Sequence, residues 1–190
     1  MKKPTKQQAE EAVKLLLDYI VGDNKREGLK DTPSRVIKSY EELFSGYRDE
    51  IETVLNKRFR DISKYNDVVL LKSINFTSTC EHHMLPFSGI VDIAYIPSKE
   101  VLGISKLARI VDMFARRLQI QERMTAEIAC ALQEHLAPKG VAVRVSASHS
   151  CMTHRGTQKD GSIMESTHFT GEYDKDPAKR REFLDSVRCN

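Results

Sequence analysis

No apolar run in this sequence approaches the ~20 residues that a membrane-spanning helix requires, which excludes the helical membrane class. The opening Met1-Lys2-Lys3-Pro4-Thr5 leads into a polar helical pattern with no signal-peptide apolar region, so a cytoplasmic location with no membrane partner is expected. Cysteine is scarce, four in 190 residues. That is too few for a disulfide framework, and in a reducing compartment the sulfurs near histidines read as metal ligands. Of the other two, Cys130 falls in a helical pattern and reads as inert core, and Cys189, next to last, is given no role. Linkers rich in Pro, Gly or Ser, internal repeats and low-complexity tracts are all lacking, so the chain reads as one domain with a helical lead-in. Charge of one sign is lacking too. Thirty basic side chains against 27 acidic ones leave a net +3, which gives no support to a nucleic-acid partner, although local basic clusters can still hold a small polyanion.

What is present is the composition of an ordinary folded domain, 40% hydrophobic and 30% charged. Thr5-Lys6-Gln7-Gln8 has the form of a capping box, followed by Ala9, Ala12, Val13, Leu16 and Ile20 on one helical face and a stop at Gly22 and Asp23. A second helix is expected from Thr32 as N-cap and Pro33 at the first helical position, ending before Gly46. Ile51, Val54 and Leu55 suggest a short third helix. Strand formers fill 67–76, and 90–96 reads as a second strand closed by Pro97, so 80–89 is expected as a loop between strands. Ile104, Leu107, Ala108, Val111, Phe114, Ala115 and Leu118 mark a long helix. The period slips at 119–122, and Ile128, Ala129, Leu132 and Leu136 continue a second helix to Pro138. Alternation from Val141 to Cys151 predicts a strand with His149 and Cys151 on one face if no bulge intervenes. Ile163, Glu165, Thr167 and Phe169 suggest the last strand, and Phe183, Leu184 and Val187 a terminal helix. The order β-β-α-α-β-β is that of an α+β sheet with helices on one face.

Two stretches carry the chemistry. Cys80-Glu81-His82-His83 alone is a weak signal, but His149-Ser150-Cys151-Met152-Thr153-His154-Arg155 can supply a third ligand. Cys80, His83 and Cys151 would make a three-ligand zinc site with a position left for water, which is the mark of a catalytic zinc. His82 and His149 then become the proton carriers. The alternative, that one of these histidines closes the shell as a fourth, structural ligand, stays open on spacing alone. Ser105, Lys106 and Arg109 begin the first long helix, whose N-terminus favours an anion, and Arg155 follows the third ligand; together they read as a phosphate cradle. Neither a P-loop nor a G-x-G-x-x-G is present, so side chains would do the gripping. Each cation taken singly reads more readily as a solvated charge, as do Arg35 and Lys38 on the second helix. His135 and His154 read as surface, and His168 is left without a role.

Taken jointly, these motifs resemble the GTP cyclohydrolase I family. The resemblance runs from Asp31-Thr32-Pro33-Ser34-Arg35-Val36 through Cys80-Glu81-His82-His83, Tyr95-Ile96-Pro97, Ser105-Lys106-Leu107-Ala108-Arg109 and Arg117-Leu118-Gln119-Ile120-Gln121-Glu122-Arg123 to His149-Ser150-Cys151-Met152-Thr153-His154-Arg155-Gly156. Thr157 and the strand Met164-Glu165-Ser166-Thr167 depart from the usual pattern. The resemblance implies a tunnelling fold over 67–190, preceded by an N-terminal helical region over 1–66, with subunits joining their sheets into the barrel of a homodecamer. It implies conversion of GTP and water to formate and 7,8-dihydroneopterin triphosphate with one zinc per subunit. In that reading His82, His149 and Ser105 move protons. Lys106, Arg109 and Arg155, with Arg35 and Lys38 from a neighbouring subunit, hold the triphosphate, and Glu122 helped by Gln121 faces the guanine edge. Two other readings compete: a different tunnelling-fold enzyme, which need not have three zinc ligands, and a non-enzymatic protein with structural zinc, which has no use for the phosphate cradle.

Overall fold

A computed structural model describes residues 3–22, 26–63 and 65–188. Asp23 and Cys189 lie outside the described residues. The chain divides into two compact units, Met1–Ser45 and Gly46–Asn190. In the first, helix α1 (Lys6–Val21) opens on the expected capping box: Thr5 accepts from the Gln8 amide while the Gln8 side chain accepts from the Thr5 amide. Helix α2 (Thr32–Leu43) packs against it. Its N-cap is Asp31, not Thr32, so Pro33 sits one position further in, where its missing N–H still costs nothing. Four large apolar residues of α1, Leu15, Leu16, Tyr19 and Ile20, are exposed.

The second unit comprises helix α3 (Ile51–Val54) and strands β1 (Arg58–Phe59), β2 (Val69–Cys80), β3 (Pro86–Ile96) and β4 (Val101–Leu102). Helix α4 (Ile104–Ala115), strand β5 (Leu118–Gln119), helix α5 (Gln121–Leu136) and strand β6 (Gly140–His149) follow. The one-turn helix α6 (Ser150–Thr153), strand β7 (Met164–Gly171) and helices α7 (Glu172–Lys175) and α8 (Pro177–Arg188) complete it. The main sheet has the order β5-β2-β3-β6-β7, antiparallel except for the short parallel pairing of β5 with β2. Among the described residues no helix is long and apolar enough to cross a membrane.

Period-two alternation sets which side chains meet the helices. Val91, Ile93 and Tyr95 of β3 lie opposite Val145, Val143 and Val141 of β6. With Phe76 and Phe87 they pack against Leu107, Ile110 and Val111 of α4 and Ile128 and Leu132 of α5. Nearly all of these are fully buried, and each such side chain contributes about 1.5–3 kcal/mol relative to exposure. The alternate residues form a smaller cluster on the opposite face, where Ala94, Ile96 and Ala142 meet Tyr173, Phe183 and Val187 of the C-terminal helices. Beside it, Arg144 pairs with Asp92 at 2.9 Å and with Glu165, and donates to the Val187 carbonyl. Both long helices therefore take one face, as the element order implies, and α8 covers one end of the other.

Candidate metal and acid/base site

One end of the sheet gathers the chemistry, because β2 ends there, β3 starts there, β6 ends there and β7 starts there. The expected long loop 80–89 is shorter than the sequence suggests. Strand pairing continues to Thr79 opposite Pro86, leaving a tight turn over 81–85. That turn is closed by the Cys80 amide on the Leu85 carbonyl and the Met84 amide on the Cys80 carbonyl, both 2.8 Å, with Met84 in the left-handed region at φ 54°. Cys80 is thereby fixed as a buried strand terminus, while His82 and His83 stand exposed on the turn. Alternation does not run through to Cys151. The strand stops at His149 and the chain coils into α6, so Cys151 projects from the first turn of a short helix instead of from a shared strand face.

The ligand atoms of Cys80, His83 and Cys151 nonetheless all lie within 4.8 Å of one another, and these three could hold a metal ion. Cys80 Sγ is 3.8 Å from His83 Nδ1, close to the ~3.6 Å edge of a tetrahedron built on bonds of about 2.0–2.3 Å. Two thiols and an imidazole suit a soft or borderline divalent ion. Burial and the neighbouring Cys80 push the Cys151 thiol upward, with Arg155 opposing; a cation between the sulfurs inverts that balance.

His149 stands beside this cluster without belonging to it. Its ring stacks on Phe87, centroids 4.5 Å apart and planes 3° from parallel, and its Nε2 lies 2.7 Å from Gln121 Oε1. Burial lowers its pKa and the Glu122 carboxylate partly restores it. Gln121 is itself buried at the first position of α5. Glu122, exposed next to it, makes no hydrogen bond or ion pair among the described residues. The α5 N-cap is Ile120, without a side-chain cap, so Glu122 does not serve as that cap.

The structure thus brings together Cys80, His83, Cys151, His149, Gln121, Glu122 and Arg155, with His82 adjacent on the turn. Ser105, Lys106 and Arg109 are elsewhere. They start α4 directly after Leu102, whose amide bonds the Tyr95 hydroxyl at the far end of β3. From there α4 runs back along the sheet to β5, where Leu118 pairs with Thr79. Twelve helical residues span roughly 18 Å, so the Ser105, Lys106 and Arg109 part of the expected phosphate cradle sits toward the opposite end of the sheet from the cysteines, while Arg155 lies beside them. Lys106 is only 6% exposed, yet its ammonium has no hydrogen bond or ion pair among the described residues. Arg35 and Lys38 belong to α2 in the first unit, where Arg35 meets Asp31 at 3.3 Å.

Sequence reasoning missed several supporting groups. Arg123 pairs with Glu81 of the metal turn and bonds Gln119, which in turn holds Glu127 at 2.8 Å. Phe87, Thr125 and Ser166 also frame the site. Cys130, expected in the core, is exposed and lies 3.8 Å from His168.

An antiparallel sheet backed by two helices, with a three-ligand cluster at its end and a pinned histidine beside it, defines a protein with a metal-competent acid/base site. The chain belongs to the GTP cyclohydrolase I family, whose model matches residues 9–188, and has that family's tunnelling fold. It is 58% identical over 184 residues to GTP cyclohydrolase 1 of Rickettsia bellii (strain OSU 85-389), covering 97% of this chain and 96% of the relative. Against GTP cyclohydrolase 1 of Rickettsia prowazekii (strain Madrid E) the identity is 54% over 187 residues, 98% of each chain.

Proposed function

We propose that this protein converts GTP and water to formate and 7,8-dihydroneopterin triphosphate, using one zinc ion per subunit on Cys80, His83 and Cys151. The observation that carries the proposal is the three-ligand cluster with His149 fixed beside it but outside it. A shell of three protein ligands leaves a position open, which favours catalytic over structural zinc. Zinc held there supplies Lewis acidity toward the water that adds at guanine carbon 8. His149 and His82 carry protons to and from the ring nitrogens as the imidazole ring opens and formate leaves. Ser105 serves the later proton traffic of ribose rearrangement. Glu122, unpaired and exposed, accepts from guanine N1–H and the 2-amino group, two donors side by side that suit one carboxylate. Gln121 flanks it.

Lys106, Arg109 and Arg155, with Arg35 and Lys38, hold the triphosphate. The distance of Lys106 and Arg109 from Arg155 and the cysteines supports a site assembled between subunits: Lys106 and Arg109 of one chain serve the metal centre of another. The outer edge of β2 is covered only over two residues by β5, and β7 is an edge strand. Such edges need partners, as do the exposed apolar residues of α1. Joining β7 of one subunit to β2 of the next closes the sheets into a barrel, consistent with the homodecamer that the family resemblance implies. The test is incubation of the zinc-loaded protein with GTP, followed by iodine oxidation and pterin fluorescence. A fluorescent neopterin derivative is expected with GTP, and its absence from active-site-intact, zinc-replete protein overturns the proposal.

A further inference from the structure

We infer that Gln121 is a positioning residue whose amide cannot turn over, and that it thereby fixes His149 as the Nε2–H tautomer and leaves Nδ1 as the nitrogen that accepts a proton. The inference rests on the reading of His149 as a proton carrier and adds which atom does the carrying.

Gln121 Nε2 lies 3.2 Å from the Val145 carbonyl, 3.0 Å from the Met164 carbonyl and 3.1 Å from Ser166 Oγ. The two carbonyls only accept. The Ser166 hydroxyl is also left accepting, for a reason one step further out. Thr125 Oγ1 spends its single proton on the Gln121 carbonyl at 2.7 Å. Ser166 Oγ, 2.7 Å from Thr125 Oγ1, must therefore donate to Thr125 and receive from Gln121. Three acceptors from β6 and β7 all demand the NH2 end of the amide. Turned over, the amide would set oxygen against two carbonyl oxygens and lose every one of these bonds in a buried position.

With the NH2 end so placed, Oε1 is the atom that faces His149 Nε2 at 2.7 Å. A carbonyl oxygen cannot donate, so the imidazole must carry its proton on Nε2. Stacking on Phe87 holds the ring plane. When Nδ1 takes a proton the ring becomes an imidazolium with Nε2–H still on Gln121, and when it gives the proton up it returns to the same tautomer. No reorientation intervenes between acid and base steps, which is what preorganisation at a catalytic histidine achieves. A role for the Gln121 amide in reading the base is disfavoured by the same count, because both of its protons are already taken.

The experiment is solid-state 15N NMR of zinc-loaded protein labelled with [15N]histidine, at about pH 8.5, well above the ordinary imidazole pKa. His149 resonances are identified as those lost in His149→Asn. A protonated Nε2 and an unprotonated Nδ1 are expected; a protonated Nδ1, or an even mixture, overturns the inference. This reading needs no folded Gln121 variant. Where Gln121→Met folds, zinc content should be kept and the His149 tautomers should become mixed. Its kcat should fall about 10- to 100-fold, the usual cost of losing an orienting partner, while KM for GTP changes less than about threefold. An unchanged kcat, or a rise in KM alone, overturns the positioning role. Normal GTP turnover by His149→Asn would sink the proton-carrier reading instead, and the two failures are told apart because the tautomer is read without turnover.

Discussion

Glu122 shows how much depends on single side chains at this site. It is a carboxylate with no protein partner among the described residues, two positions from an uncapped helix start and close enough to act on His149. As the guanine reader it should not tolerate an added donor. Glu122→Gln keeps the size but sets an N–H against a guanine N–H, so kcat/KM for GTP should fall about 100-fold or more. Zinc content and assembly should stay unchanged. A variant that turns over GTP normally once folded would remove the reading role. Much at this scale was legible in the sequence. Cys80-x-x-His83 suggests a half-site, and the structure brings Cys151 close enough for the three to be able to hold a metal ion, although it arrives from a helical turn and not from the strand face that alternation implied. What could not be read is the framing of His149. Thr125 and Ser166 are 41 residues apart and meet only because α5 packs on β7. Cys130 departs from the expected core position for the converse reason: a helical pattern says which residues share a face, but not that this one looks outward.

Among the elements, β3 and β6 decide whether the site end exists at all. A Cβ on Gly89 would lie 1.9 Å from the Ser146 carbonyl oxygen of the neighbouring strand, so Gly89→Ala has to push the two backbones apart. Its cost should be about 3 kcal/mol or more, read as a fall in Tm or as loss of soluble protein; unchanged stability would mean that the strands are not held at this spacing. The second cluster makes an alkaline prediction. Burial, aided by nearby carboxylates, pushes the Tyr173 hydroxyl from 10.0 up to about 12. The raised value means that its contribution to stability is complete below about pH 10 and is lost as pH rises toward 12. Tyr173→Phe should therefore flatten the decline of Tm across that window, and an identical decline in both proteins would contradict it. The sequence located every strand of the main sheet except β5 but misjudged their ends. Pairing carried β2 on to Cys80 and started β3 at Pro86, and strand partners are not visible in a linear pattern. At Ser73, with φ 58°, the register shifts between Leu71 and Ile74, and the Asp92 carboxylate takes the freed amide at 2.8 Å. No local propensity signals that bulge.

At the scale of the whole molecule, the separation of Lys106 from the cysteines favours the proposed sharing of the site between subunits. Lys106→Ala and Cys151→Ala should each be nearly inactive alone. Refolded together they should regain activity, because mixed interfaces include sites with a wild-type cradle from one chain and wild-type ligands from another. No recovery in verified mixed assemblies would mean that each chain supplies its own phosphate grip. The family and its chemistry were readable from motif order along the chain, whereas the distance of Lys106 and Arg109 from the cysteines emerges only once α4 is seen to run back along the sheet to β5. The central claim is that metal on Cys80, His83 and Cys151 drives release of formate from GTP. Its most direct test is a zinc titration of metal-stripped protein under reducing conditions, with bound zinc and formate measured in the same samples. Formate production should rise in proportion to zinc and level off at one ion per chain, and Cys151→Ala should show neither. Formate released at the full rate by the stripped protein, or by Cys151→Ala, would contradict the account.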